Sequence, residues 1–328
     1  MNQTTLPLID IWYGPHQVFG QLGLSQRWVN ILGRVHRPDE MVSLHYTLND
    51  GPSQPLSLGP DRRRLAASGD FNVEIDHTQL KVRDNTVMIT ATTPDGDQIS
   101  ESVVVHYVSG NTWPLPFSVD WNEVTAIQDV AQVVDGLWSL DNGALYPVDN
   151  SYDRVIAIGD VSWCDYEITV PVTIYGFNAC AYQYPSIAPV IGFVVRWQGH
   201  YQWGSDDHAS GQPRYGFAPC GALGLYGWSN ERGRRLNIVA NDGSTVIADD
   251  TSGFQMKLGV PYVMKMRVQS RAGTTSLYSL KAWEQDQPEP SGWSLSAEGR
   301  IGEHSQGSIV LLSHHTAAAF GNISIAPV

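Results

Sequence analysis

The chain has 328 residues, 42% hydrophobic and 16% charged, with 31 Gly and 19 Pro. This is long enough for two domains of about 100–200 residues each, and the composition suits strands and turns rather than disorder. A net charge of −13 repels phosphate backbones and acidic lipid surfaces, which excludes nucleic acid as a natural partner. No run approaches the ~18 apolar residues of a membrane span, and "MNQTTLPLIDIWYG" lacks a basic stretch followed by an apolar one, so a soluble protein without membrane insertion is expected.

In the first third, period-two alternation predicts half-buried strands. "VSLHYTL" would bury Val42, Leu44, Tyr46 and Leu48, and "FNVEI" would bury Phe71, Val73 and Ile75. "TVMITAT" and "SVVVHYV" follow, separated by "PDGD", whose Asp95-Gly96 pair suits a hairpin turn. With no helical stripe, residues 1–108 read as a small antiparallel sandwich. The pattern and the phrase "LHYTLNDG" resemble the immunoglobulin-like modules that accompany glycan-active domains. "GPDRRRL", residues 59–65, is a basic run that reads as a solvated turn or a salt-bridged domain contact.

"SGNTWPLPFSVDW", residues 109–121, carries two prolines and three aromatic residues, which predicts an ordered connector. From residue 122 to 328 the chain returns to strands, punctuated by the turn signals "DNG" and "NDG". "IGDVSWCDYEITVPVTI", "GVPYVMKMRV", "SLYSLKAWEQDQPEPSGW" and "GSIVLLSHHTAAAFGNISIAPV" resemble strands of the concanavalin A-like, laminin-G-like jelly rolls. The fold class expected is therefore all-β: an immunoglobulin-like β-sandwich followed by a concanavalin A-like jelly-roll β-sandwich. The resemblance implies an extracellular, carbohydrate-directed protein whose partner is an oligo- or polysaccharide. It also implies Ca2+ as the one cofactor, held in many relatives by an Asp-Asn pair where this chain has Gly321 and Asn322. The Glu-x-Asp-x-x-Glu strand of the glucanases with this fold is absent. So are the glycine and second tyrosine that jelly-roll alginate lyases place after the equivalents of Tyr278 and Lys281.

Alternation sorts "VIGFVVRWQG" into Ile191, Phe193, Val195 and Trp197 on a core face, with Val190, Gly192, Val194, Arg196 and Gln198 opposite. The same sorting sets Tyr226 and Trp228 opposite Leu223 and Leu225, and leaves Lys265, Arg267, Lys281 and Trp283 outside. If these strands share a sheet, one outer face carries Arg196, Gln198, Tyr226, Trp228, Lys265, Arg267, Lys281 and Trp283, mixing stacking platforms with cationic donors as a sugar site does. The alternative is a solvated face of snorkelling side chains.

The following loop, "GHYQWGSDDH", gathers His200, Tyr201, Trp203, Asp206, Asp207 and His208. As a binding loop its rings stack and its aspartates accept hydroxyl hydrogen bonds. As a catalytic loop His200 or Asp207 moves a proton. As a metal site the two histidines join an aspartate, although the spacing matches no standard ligand set. A solvated Ser-Asp-Asp turn is the plain reading. His314 and His315, adjacent and so on opposite faces, cannot easily share a metal. Glu284, Asp286 and Glu289 could form a carboxylate pair but fit a structural turn better, and Cys220 lacks a histidine beside it in sequence. An odd count of three cysteines (Cys164, Cys180, Cys220) leaves at least one thiol free. Recognition of a polysaccharide is the favoured function. A glycoside hydrolase or polysaccharide lyase using the same cleft is the alternative, and a structural or adhesive role is the third class.

Overall fold

The computed structural model describes residues 8–178, 188–202, 210–229, 233–272 and 275–328. Within them the chain is all-β and divides into two compact units, which do not follow sequence order throughout. The first unit takes the chain up to Gln21, Arg27–Asn111 and Gln202–Tyr215; the second takes Leu22–Gln26, Thr112–Tyr201 and Gly216–Val328.

The first unit is built from β1 (Ile9–Ile11), β2 (His16–Phe19), β3 (Trp28–Val35), β4 (Ser43–Leu48), β5 (Gln54–Leu56), β6 (Asp70–Asp76), β7 (Arg83–Thr92) and β8 (Gln98–Tyr107). They form a three-stranded sheet, β1-β3-β6, and a five-stranded sheet, β2-β8-β7-β4-β5, in which β2 pairs with β8 in parallel and the other neighbours are antiparallel. Alternation decides what is buried: Phe71, Val73 and Ile75 of β6, Val87 and Ile89 of β7, and Val103 and Val105 of β8 are within 1% of complete burial. Of the expected face of "VSLHYTL" only Leu44 is buried: Val42 lies before the strand and is exposed, and Tyr46 and Leu48 are only partly covered.

The second unit comprises β9 (Phe117–Val119), β10 (Gln132–Asp135), β11 (Trp138–Asp141), β12 (Ala144–Pro147), β13 (Arg154–Ile158), β14 (Tyr166–Phe177), β15 (Val190–Trp197), β16 (Ala222–Ser229), β17 (Gly233–Val239), β18 (Val246–Asp249), β19 (Pro261–Ser270), β20 (Ser276–Glu284), β21 (Leu295–Glu298), β22 (Ser308–His314), β23 (Thr316–Phe320) and β24 (Ile323–Pro327). Seven strands run β10-β13-β22-β15-β16-β17-β18; the second sheet runs β11-β12-β23-β14-β19-β20-β21, with β24 beside β14 and β9 beside β24. The two sheets face each other. Gly224 of β16 has room only for hydrogen, because a Cβ there would lie 2.5 Å from Met266 Sδ of β19 and 3.3 Å from Leu280 Cδ1 of β20.

Of the stretch 109–121, the residues from Thr112 onward belong to this second unit, contributing β9 and the buried rings of Trp113 and Trp121, while 109–111 belong to the first. Trp121 donates its backbone N–H to Asn322 Oδ1 (3.1 Å) and its indole N–H to the Gly321 carbonyl (2.9 Å), so the residues expected at a calcium position bind the connector. Among the described residues no group of three or more His, Cys, Asp or Glu side chains could hold a metal ion, and no helix is long and apolar enough to cross a membrane. Cys164 is exposed, Cys220 is buried, and both are free thiols.

Candidate ligand-binding cleft

The side chains expected to share one outer face do not share a sheet. Arg196, Tyr226 and Trp228 sit on β15 and β16 of the seven-stranded sheet; Lys281 and Trp283 sit on β20 of the other. A β-bulge between Val195 and Trp197, with Arg196 at φ 52°, breaks the alternation. It exchanges the two residues: Trp197 joins an apolar cluster with Val155, Val194, Leu223, Leu225, Val310 and Leu312, while the Arg196 guanidinium points toward the ends of the opposing sheet.

Arg196 is 1% exposed and fully engaged. Its guanidinium donates to the Cys164 carbonyl (3.0 Å), Asp165 Oδ1 (3.0 Å), Ser270 Oγ (2.8 Å) and Ser276 Oγ (2.5 Å). Its backbone N–H donates to the Tyr166 hydroxyl at 2.7 Å, and burial raises the pKa of that phenol. Tyr226 is completely buried and its oxygen accepts the Met256 N–H (2.8 Å); Trp228 packs against Tyr226 and Phe177. These three side chains hold the sandwich together.

On the outer face of the other sheet, Lys281 lies between the indoles of Trp283 and Trp293 and pairs with Glu289 at 2.8 Å. Lys265 and Arg267 share Glu167, whose carboxyl stays below its ordinary pKa even against partial burial because both cations hydrogen-bond it. The expected cations are there, neutralised by carboxylates.

Of the loop residues, His200 is buried, its Nε2 lying 3.1 Å from Asp135 Oδ2 and its Nδ1 3.4 Å from the Gly216 carbonyl. Both side chains of the His200–Asp135 pair are at 0% exposure, so the imidazole anchors the loop where a proton-transfer group would need access. Tyr201 forms an isolated bridge with Gly216, and its hydroxyl lies 3.4 Å from His304 Nε2. Gln198 donates to the Gln306 carbonyl at 3.1 Å. Trp203, Asp206, Asp207 and His208 lie outside the described residues.

A cleft built on a polar network lies in the first unit. In the β3–β6 pairing, Trp28 stands opposite Asp76, Asn30 opposite Glu74, and Leu32 opposite Asn72. The polar members of "DFNVEID" therefore share the face away from Phe71, Val73 and Ile75, yet Asn30 and Asn72 are almost completely buried on it. A buried carboxylate on such a face is costly unless cations and donors surround it. Arg64, its side chain at 0% exposure, donates to Glu74 Oε1 at 2.5 Å, and Arg214 donates to Glu74 Oε2 through its backbone N–H (2.9 Å) and its guanidinium (3.2 Å). Arg64 also donates to the Arg214 carbonyl. Asn30 donates to Asn72 Oδ1 at 3.0 Å. The run "GPDRRRL" thus supplies a buried arginine, and Arg63 lies over the Tyr215 ring at 3.7 Å.

Beside this network opens a cavity of about 520 Å³, lined among others by Arg27, Trp28, Tyr46, Gln54, Gln79 and Arg214. A smaller cavity of about 180 Å³ shares Tyr46, Gln54, Glu74 and Arg214 with it. Arg214 and Arg27 both lie over the Trp28 indole, at 4.0 and 4.6 Å from its centre. Arg27 is clamped by Asp76 Oδ2 at 2.7 Å, while Asp76 Oδ1 accepts from Thr78 and caps the turn after β6. Burial raises the Tyr46 phenol above its ordinary pKa, with Arg214 pulling the other way and Glu74 adding to the rise, so the cleft presents a neutral hydroxyl. The chain signals that point here are the polar alternation of β6 and the arginine run; the pairing of Glu74 with Arg214, 140 residues away, leaves no local trace.

No family model matches the chain, and no curated protein matches it in sequence. Among solved structures it is similar to the alginate lyase Aly36B (11% identity, 66% of this chain and 98% of that one, TM-score 0.40). It is also similar to the exoplasmic/lumenal domain of VIP36 in its Ca2+/Man2-bound form (10% identity, 64% and 86%, TM-score 0.41). A third is a structure from work on endo-acting O-glycanases of the human gut microbiota that initiate mucin breakdown (9% identity, 66% and 100%, TM-score 0.39). At these scores nothing about chemistry passes from them to this chain, and the functional reading rests on the cleft.

Proposed function

We propose that this chain recognises a saccharide and that the cleft of the first unit is where it does so. The carrying observation is a cavity of about 520 Å³, within the roughly 300–1,000 Å³ of small-molecule sites, lined by hydrogen-bonding groups of which Arg27, Asp76, Glu74 and Arg214 are already held by ion pairs. Gln54, Gln79 and the Tyr46 hydroxyl offer donors and acceptors to sugar hydroxyls, while Leu48 and Pro52 give apolar wall. The reading takes the first unit as an immunoglobulin-like sandwich and the second as a concanavalin A-like jelly roll. The three-plus-five and seven-plus-nine arrangements of strands support it. An extracellular setting goes with this proposal.

The test is retention of the full chain on a panel of neutral and acidic polysaccharides, with release of reducing ends followed in parallel. Retention on at least one polymer is expected, and Tyr46→Ala and Gln54→Ala should each weaken it without lowering the melting temperature by more than a few degrees. Retention that both variants leave intact moves the site elsewhere, and no retention at all removes the reading. Release of reducing ends would make the chain an enzyme.

A further inference from the structure

We infer that the saccharide taken by this cleft is anionic, its carboxylate or sulfate held by Arg27 and Arg214, whose guanidiniums both lie against the Trp28 indole. This rests on the saccharide reading above and narrows it.

Four observations support it. First, Trp28 is buried and both guanidiniums lie over its ring, so the indole does not serve as a platform for a pyranose face; it serves as a floor for two cations. Second, each guanidinium is fixed in its plane by a carboxylate, Arg27 by Asp76 and Arg214 by Glu74, which pre-pays the entropy of ordering a long side chain. Third, both carboxylates are already satisfied by protein donors: Glu74 by Arg64, Arg214 and Asn30, and Asp76 by Arg27 and the Thr78 N–H and hydroxyl. They have little left to offer a ligand, whereas the side chains of Arg214 and Arg27 keep 31% and 60% of their surface exposed. Fourth, among the described residues Glu74 is met by two guanidiniums, Arg64 and Arg214, so its charge is matched within the protein before any ligand arrives. A planar guanidinium fork lining a polar cavity matches the geometry of a carboxylate or sulfate.

The experiment measures affinity of the full chain for polygalacturonate, alginate, heparin, dextran and mannan at low and high salt. It compares the wild type with Arg27→Gln, which touches an exposed side chain, and Arg214→Lys, which keeps the charge but removes the fork. Preference for one or more acidic polymers is expected, declining with salt and weakened about tenfold or more by each variant, since a charge-assisted hydrogen bond is worth about 1.5–3 kcal/mol. Uronate polymers bound over heparin identify the anion as carboxylate, and the reverse identifies sulfate. Binding only to dextran or mannan, insensitive to salt, leaves the saccharide reading standing and overturns the anion. Acidic polymers bound equally by wild type and Arg27→Gln overturn the placement. No polymer bound overturns both.

Discussion

Arg196 and Arg214 flank one stretch of chain and meet opposite environments. In the second unit Arg196 is 1% exposed, with its guanidinium spread over one carboxylate, two hydroxyls and a carbonyl; in the first, Arg214 spends one edge on Glu74, stacks on Trp28 and leaves 31% of its side chain in the open. The same residue type thus acts as a structural rivet in one place and as a poised contact in the other. What separates them is how many of the five N–H groups the protein consumes.

The sharpest way to break this comparison is Arg196→Met. It should cost about 3 kcal/mol by leaving the buried Ser276 and the Cys164 carbonyl without their donor, and so lower the denaturation midpoint without a selective effect on binding. A stable variant that fails to bind would make Arg196 a contact after all. Glu74→Gln comes next: with Arg64 left buried opposite a neutral amide, a loss of about 3 kcal/mol is expected, read by chemical denaturation. If stability hardly changes, the cleft's ionic floor is ornamental to the fold.

A pH titration sharpens the picture in the second unit. Burial and the neighbouring His314 push the His315 imidazole down to about 4 from an ordinary 6.5. The folded form therefore holds a neutral ring; its contribution is complete above about pH 6.5 and is lost as the pH falls towards about 4. The unfolded chain takes up one proton more across that window, a slope of about 1.4 kcal/mol per pH unit. His315→Asn, which suits the positive φ of 50° there, should flatten that slope. Asp153, Arg154, Tyr152 and His314 face the same ring and set its baseline.

The smallest effect is expected for Asp242→Ala. Four hydrogen bonds, from the backbone and side chains of Ser244 and Thr245, hold this carboxylate far below its usual range, and Arg300 lies 2.9 Å away. Its pKa is depressed on folding, so its stabilisation is present above the unfolded carboxylate range and fades in strong acid. At 40% side-chain exposure solvent screens most of it, and about 1 kcal/mol or less should be seen in a melting curve.

Much of the fold was legible locally, because alternation is a property of neighbouring residues. "FNVEI" buries Phe71, Val73 and Ile75 as expected, and "YVMKMRV" and "LYSLKAW" place Met264, Met266, Tyr278 and Leu280 inside, opposite Lys265, Arg267 and Lys281. What alternation cannot encode is which strands become neighbours, and so Tyr226 and Lys281 parted into different sheets. Nor does it survive a bulge: one extra residue at Arg196 exchanged the expected faces of Arg196, a site candidate, and Trp197, a core residue. The cleft escaped for the first reason. Its sequence signs, the Asp-x-Asn-x-Glu-x-Asp strand and the arginine run, pass for solvated polarity until Arg214 is placed against them.

The division of the chain carries a consequence for how such a protein can be cut and recombined. Because Gln202–Tyr215 belongs to the first unit while the strands on either side belong to the second, no single cleavage yields two intact pieces. A fragment ending at Asn111 would keep Glu74 and Arg64 but forfeit Arg214, and a fragment starting at Thr112 would carry Gln202–Tyr215 without the rest of its unit. The two units interleave along the chain, so the proposed ligand site does not come away as one contiguous stretch of sequence that could be lent to another protein.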